Sequence, residues 1–463
     1  MLLRDDAIVE RTLASHAGIR AGARPAWPNF MTNPNQGVGI DFGTTNCAVA
    51  IASSAGVRMA RFGQNTLETF RSVLYFDAER SRTRARKRPL AGPSAIDAYL
   101  AREEPGRLIQ SLKSFLASAL FTETWVGSNR YSVEDLTASL VQALRKEAEE
   151  QLGDLGTRVV AGRPVRFVGS DTEEDEALAL ERLDQAFRRA GFEQITFEFE
   201  PVGAAYFYES RLDHDELIVI ADFGGGTSDF SLLRVGPGVR SRGKEQREIL
   251  ATVGVPIAGD SFDAKIVRHV VSPLLGLGTS YRSVNKLLPV PSSIYLKLEK
   301  WHHLSFLRAS DTMRMLRSLQ AQALDPEKIE GLIHMVENDV GFNLHRSVQR
   351  AKYELSIQDC AMFEFTDSFV SIRQPVTRAE FESWIAGELA HIAECVETLL
   401  RQASVTPKRI DRVFLTGGTS LVPAVRRIFE ERFGAARLSA GDEFTSVASG
   451  LALRAMDLNG VVY

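Results

Sequence analysis

Two stretches carry an acid, glycines and hydroxyls in the same order. "VGIDFGTTNCAVAIA", Val38 to Ala52, ends an apolar run on Asp41 and continues into Gly43, Thr44, Thr45 and Asn46. "LIVIADFGGGTSDFSLL", Leu217 to Leu233, sets Asp222 ahead of Gly224, Gly225, Gly226 and Thr227, with Asp229 beyond them. Glycines beside hydroxyls suit phosphate, because the backbone can come close and the hydroxyls can hydrogen-bond. After each turn the apolar alternation resumes, in "CAVAIA" and "FSLLRV", so neither turn opens a helix. That excludes a P-loop or dinucleotide-binding turn, where the phosphate meets a helix N-terminus. The expected cradle is the bend of a β-hairpin, lined by backbone N–H groups. Gly43 and Gly224–Gly226 are expected to supply positive φ there as well as close approach.

Two such hairpins facing each other could clamp a polyphosphate from both sides. Asp41, Asp222 and Asp229 would then be placed to hold Mg²⁺ through its waters, since Mg²⁺ dehydrates reluctantly. A third glycine turn lies in "FLTGGTSLVPAV", where Gly417, Gly418 and Thr419 join a strand to a helix. Such a turn lets a nucleoside approach the backbone.

The elements around these turns read as α/β. "SVEDLTASLVQALRKEAEEQLG" is helical, with Ser132 as N-cap, Asp135 three residues on and Gly153 closing it. "TRVVAGRPVRFVG" reads as strands, "EDEALALERLDQAFRRAG" as a helix and "QITFEFE" as a strand. "PVGAAYFYES" starts a helix with Pro201 in its first turn. Strands alternating with helices argue for an α/β lobe. The repeat of the Asp-Phe-Gly hairpin lies much further along than a solenoid period, so it implies two similar lobes. The expected division is an extension over residues 1–36, lobe I over 37–221 and lobe II over 222–463. A helical insertion is expected over about 270–356, and a last helix at "SVASGLALRAM".

Composition narrows the class. The chain has 463 residues, 44% hydrophobic and 25% charged, with a formal net charge of −4. That balance gives no bulk attraction to nucleic acid or anionic lipid. The three cysteines, Cys47, Cys360 and Cys395, are far apart and fit neither a disulfide framework nor a zinc site. No apolar run reaches the ~20 residues of a membrane span. Residues 1–36 lack the apolar core of a secretory signal and read as a mobile tail, or as a stretch ahead of a start at Met31. "RSRTRARKR", Arg80 to Arg88, reads as a solvated basic loop without interleaved aromatics.

In order, "IDFGTTN", "ADFGGGTSDF" and "FLTGGTSLVPAV" resemble the two phosphate motifs and the adenosine motif of the actin-like ATPase superfamily. Within it the chain most resembles the nucleotide-binding domain of DnaK-type heat-shock chaperones. "EPVGAAYFY", "AGDSFDAKIV" and "RAKYELS" match that family's connecting motif, its glycine-aspartate segment and its helical-lobe nucleoside contact. The resemblance runs from about residue 37 to 457 and is nearest the short YegD-like bacterial branch, which stops before a substrate-binding domain.

The resemblance implies a two-lobed fold of duplicated ribonuclease-H-like lobes, ATP or ADP with Mg²⁺, and a bacterial cytoplasmic setting. It implies Asp41, Asp222 and Asp229 around the hydrated metal, and Glu200 organising metal and attacking water. It implies Lys113 and Thr227 at the γ-phosphate. Gly259, Lys352, Tyr353 and Ser356 would touch the nucleoside on one side, with Gly417, Gly418 and Thr419 on the other. Gln349, Tyr353 and Leu421 stand where that family usually has Glu, Arg and Arg. The function implied is slow ATP hydrolysis driving lobe rotation in a chaperone-like role, with a client or co-chaperone as partner. A small-molecule kinase and a nucleotide-controlled scaffold or filament are the alternatives; no catalytic-base aspartate for a sugar or acid substrate stands out.

Overall fold

The computed structural model describes residues 36–63, 67–77, 88–101, 106–210, 212–241, 248–299, 307, 310–338, 340–440 and 446–460. The N-terminal stretch 1–35 and nearly all of the basic run at 80–88 lie outside them.

Each Asp-Phe-Gly turn closes an antiparallel hairpin. In the first, strand Gly37–Phe42 pairs with Asn46–Ser53, setting Asp41 opposite Ala48. In the second, Glu216–Phe223 pairs with Ser228–Val235, setting Asp222 opposite Asp229. Both hairpins are apolar on both faces, as strands covered on both sides must be. Each then extends into a mixed sheet. Gly37–Phe42 is parallel to Arg158–Arg163, which is parallel to Gln194–Phe199. Glu216–Phe223 is parallel to Arg412–Thr416, which is parallel to Leu438–Ala440. The two sheets thus repeat one plan: an antiparallel hairpin continued by parallel crossovers.

Local signals set the helices. Ser132 caps Val133–Leu152 through a reciprocal capping box with Asp135, and Gly153 ends it at φ 86°. Thr172 and Asp175 cap Glu173–Arg189 in the same way. Helix Glu200–Glu209 begins with Pro201 in its first turn, leaving Glu200 at its mouth.

Two helices lie between the sheets. Glu200–Glu209 and Ser446–Leu458 share a core with Val160 of the first sheet and Ile218 and Ile220 of the second. They cross at glycines: a Cβ on Gly450 would stand 1.7 Å from the carbonyl oxygen of Gly203. Helix Ser446–Leu458 also lies on the first hairpin, where a Cβ on Gly39 would come within 2.3 Å of Ala448 O. Any side chain at these positions would force backbones apart.

Two expectations fail locally. Of "TRVVAGRPVRFVG" only Arg158–Arg163 is a strand, because Pro164 has no N–H to continue the ladder. The segment 270–356 is not helical throughout. A β-hairpin, Ser280–Ser283 with Lys286–Pro289, interrupts it. The chain turns at Val284, which sits at φ 45°, and Pro289 and Pro291 block any helix across this stretch.

Candidate functional site

The two hairpin turns meet over a cleft of about 380 Å³. A Cβ on Gly225 would lie 2.5 Å from Thr45 Oγ1, and one on Gly226 would lie 3.9 Å from Thr44 Oγ1. Gly225 is therefore crowded by the opposite turn, and Gly226 by Val168 at 2.8 Å. They are not required by φ, because neither Gly43 nor Gly224–Gly226 adopts positive φ. The expectation of left-handed backbone there is corrected: a Cβ on Gly43 would instead strike Asn46 O at 2.1 Å. Gly417 does need both freedoms, with φ +81° and Phe223 O only 2.0 Å from its Cβ position.

Hydrogen bonds fix each turn. Ser72 Oγ donates to Gly43 O at 2.7 Å and Ser72 N donates to Thr45 O at 2.9 Å. Gly224 N donates to Thr227 O and Asp260 N to Gly225 O, both at 2.8 Å. The threonine hydroxyls and backbone amides left between the turns can receive anionic oxygens from two sides.

Beneath the turns lies a cluster of buried charge. Lys113 Nζ is 2.5 Å from Glu200 Oε1, and both side chains are buried. Lys113 sits in a 3₁₀ turn, Leu112–Phe115, held inward. Burial alone would lower its pKa; the pull of Glu200 and Asp41 outweighs it and holds the ammonium above its ordinary range. Asp41 is pushed well up by burial and by the charges of Glu200 and Asp222. Asp222 is raised to about 6 by burial and Glu200, partly offset by the Thr416 hydroxyl that donates to it at 2.6 Å. Asp229 is likewise raised well above its ordinary value, by burial, Glu200 and Asp222.

Four carboxylates stand here against the ammonium of Lys113. That excess of buried negative charge is the donor chemistry a hydrated divalent cation would satisfy. Among the described residues no three His, Cys, Asp or Glu side chains stand close enough to ligate a metal directly. The residues present therefore fit a cation held through water, not one stripped of its shell.

The structure brings Asp41, Gly43, Thr44, Thr45, Asn46, Lys113, Glu200, Asp222, Gly224, Gly225 and Thr227 to one wall system of the cleft. Gly259, Lys352, Tyr353, Ser356, Gly417, Gly418 and Thr419 line its other part. Gly226 and Asp229 are not in the lining. Gly226 packs on Val168, and Asp229 lies behind Asp222, accepting the backbone N–H of Val165 at 2.9 Å.

The family model for Hsp70 protein matches residues 37–275 and 328–462 of the chain. The chain belongs to the Hsp70 family. The chaperone protein DnaK of Thermus thermophilus is 25% identical over 442 residues, which cover 92% of this chain and 61% of that relative. The chain thus spans 61% of the length of that DnaK. The two repeated sheets and the helices between them are the duplicated lobes of the Hsp70 actin-like ATPase fold. The β-hairpin at Ser280–Pro289 falls in the stretch that the Hsp70 match leaves out.

In and beside the Hsp70 cleft stand residues that no role was expected of. Arg71 Nη1 donates to Asn46 Oδ1 at 3.3 Å, and Asp260 counteracts the fall that burial imposes on its pKa. Asp263, 2% exposed, holds Lys352 Nζ at 2.6 Å and faces His345 Nε2 at 3.9 Å. Lys352 also donates to Gly259 O at 3.3 Å. Asp260 and Asp263 were within reach of sequence reading, since both lie in "AGDSFDAKIV"; Arg71 and His345 were not.

Proposed function

We propose that this cleft binds an adenine nucleotide with Mg²⁺ and hydrolyses ATP slowly. The observation that carries the reading is the approach of the two glycine turns, Gly225 against Thr45, over half-buried Asp41 and Asp222 and buried Lys113 and Glu200. The turns would hold the phosphates by backbone N–H groups and by Thr44, Thr45 and Thr227. Lys113 would place positive charge at the terminal phosphoryl group. Glu200 would orient Lys113 and accept a hydrogen bond from the attacking water. Asp41 and Asp222 would hold the waters around the cation, with Asp229 behind them. The bound cation supplies charge neutralisation, which is most of what phosphoryl transfer asks of a protein.

The coupling of hydrolysis to a chaperone-like task, by rotation of the lobes about the crossing helices, belongs to the same reading. Membership of the Hsp70 family supports it, as does the close backbone approach of the two central helices at Gly203 and Gly450. Asp222→Asn, measured by phosphate release under single-turnover conditions, tests the chemistry. Loss of hydrolysis by about 100-fold or more, with the fold retained, is expected. Hydrolysis at the parent rate would overturn the assignment.

A further inference from the structure

We propose that the nucleoside end of the cleft accepts purine nucleotides without choosing between adenine and guanine, using Tyr353 as its stacking surface and Leu421 as a second apolar wall. This rests on the nucleotide-binding reading above and specifies the ligand class of that site.

The wall is built where two segments converge. Lys352 Nζ and Thr419 Oγ1 lie 3.3 Å and 3.2 Å from the Cβ position of Gly259, which brings helix Gly341–Ile357 up to the turn Gly418–Leu421. Tyr353 and Leu421 flank that junction. Among the described residues lining the cleft, they are the large apolar side chains that remain exposed, at 57% and 44%. A half-exposed aromatic and a leucine offer area to a base, and stacking is indifferent to which base it is.

Discrimination needs more than stacking. A site rejects a wrong polar edge strongly only when buried groups would be left unpaired by it. Three of the polar groups beside Tyr353 are uncommitted to one pattern or already engaged. Lys352 is held by Asp263 at 2.6 Å. Ser356 Oγ donates to Lys352 O at 3.0 Å. Gln349, half-buried on the same helix, carries an amide that presents either donor or acceptor after rotation. With Tyr353 and Leu421 this exposed, any unmatched edge of the base keeps its water. Adenine and guanine should therefore bind alike, and pyrimidines more weakly because they stack less area.

Calorimetric titration of the full chain with ATP, GTP and CTP in Mg²⁺ tests this, with Mg²⁺-tripolyphosphate as a base-free probe. ATP and GTP should bind within about fivefold of each other, and CTP about fivefold or more weaker. Tyr353→Ala should weaken both purines by about tenfold while leaving tripolyphosphate unchanged, and Tyr353→Phe should match the parent. The unchanged tripolyphosphate affinity also reports that the variant is folded. ATP binding about fiftyfold tighter than GTP would overturn the inference and leave the nucleotide-binding reading intact. So would a Tyr353→Ala variant with parental purine affinity. Failure of every nucleotide to bind the parent would overturn both.

Discussion

Lys113 Nζ and Glu200 Oε1 form a 2.5 Å ion pair joining the 3₁₀ turn Leu112–Phe115 to the first residue of helix Glu200–Glu209. The pair is buried, with side-chain exposures of 7% and 9%. Breaking one partner of a buried pair leaves an uncompensated charge, which typically costs about 3–5 kcal/mol. Lys113→Ala should therefore lose about that much stability in urea denaturation, as well as hydrolysis. Lys113→Met with Glu200→Gln should recover most of the stability and none of the activity. A single variant as stable as the parent would show that the pair is solvated.

Asp222 carries the opposite expectation. Its pKa is raised to about 6 by burial and Glu200, so its ionised form is held against repulsion when no cation is present. Asp222→Asn should make the nucleotide-free protein more stable at pH 7.5, while the parent alone should gain stability on adding Mg²⁺ and nucleotide. Thermal unfolding with and without both ligands measures this; a destabilised nucleotide-free variant would contradict it.

His345 gives a pH dependence with a definite sign. Burial lowers its pKa to about 4; Asp263 opposes the shift, and Lys352 and Arg71 reinforce it. Between about pH 6.5 and pH 4 the unfolded chain binds the proton and the folded chain does not. Stability is thus complete above about pH 6.5 and falls as the pH drops towards 4, by about 3 kcal/mol at most from this group. His345→Gln should flatten that part of the profile relative to the parent. Parallel profiles for the two proteins would remove the claim.

The crossing of the two central helices tolerates no side chain. A Cβ on Gly450 would lie 1.7 Å from Gly203 O, 2.7 Å from Gly203 C and 3.0 Å from Phe207 N, all backbone atoms. Gly450→Ala should cost about 3 kcal/mol or prevent folding. An alanine variant with the parent's denaturation midpoint would contradict the close contact.

A buried aromatic contact joins two helices from the two halves of the chain. Tyr99, on helix Gly92–Leu100, meets Phe342, on helix Gly341–Ile357, with ring centroids 5.3 Å apart and planes at 73°. Edge-to-face pairs add about 1 kcal/mol beyond their buried area. If closure retains nucleotide, Tyr99→Ala should speed ADP release by about fivefold in a stopped-flow chase. An unchanged release rate would mean that the contact does not restrain opening.

Much of this was legible because its cause is local. The hairpins follow from two-residue alternation on either side of a glycine-hydroxyl turn, and the cap at Ser132 and the first-turn proline at 201 follow from spacings of a few residues. What the sequence hid depends on partners far along the chain. Glycine at 43 and at 224–226 is visible, but crowding and positive φ leave the same letter, and only the neighbours Asn46, Thr45 and Val168 distinguish them. The contact of Gly203 with Gly450 has no local signature at all. The resemblance singles out Lys113, but not its ion pair with Glu200, which lies far along the chain. Asp229 reads as a wall of the cleft until Val165 N is seen to occupy it.

In the proposed function the paired turns hold the phosphates of a nucleotide over a hydrated cation. Calorimetric titration of the chain with ATP in Mg²⁺, repeated in excess EDTA, tests it most directly. Saturable binding of one ATP per chain is expected in Mg²⁺, weakened by about tenfold or more when the cation is removed. No saturable heat with ATP and Mg²⁺, or equal affinity in EDTA, would contradict it.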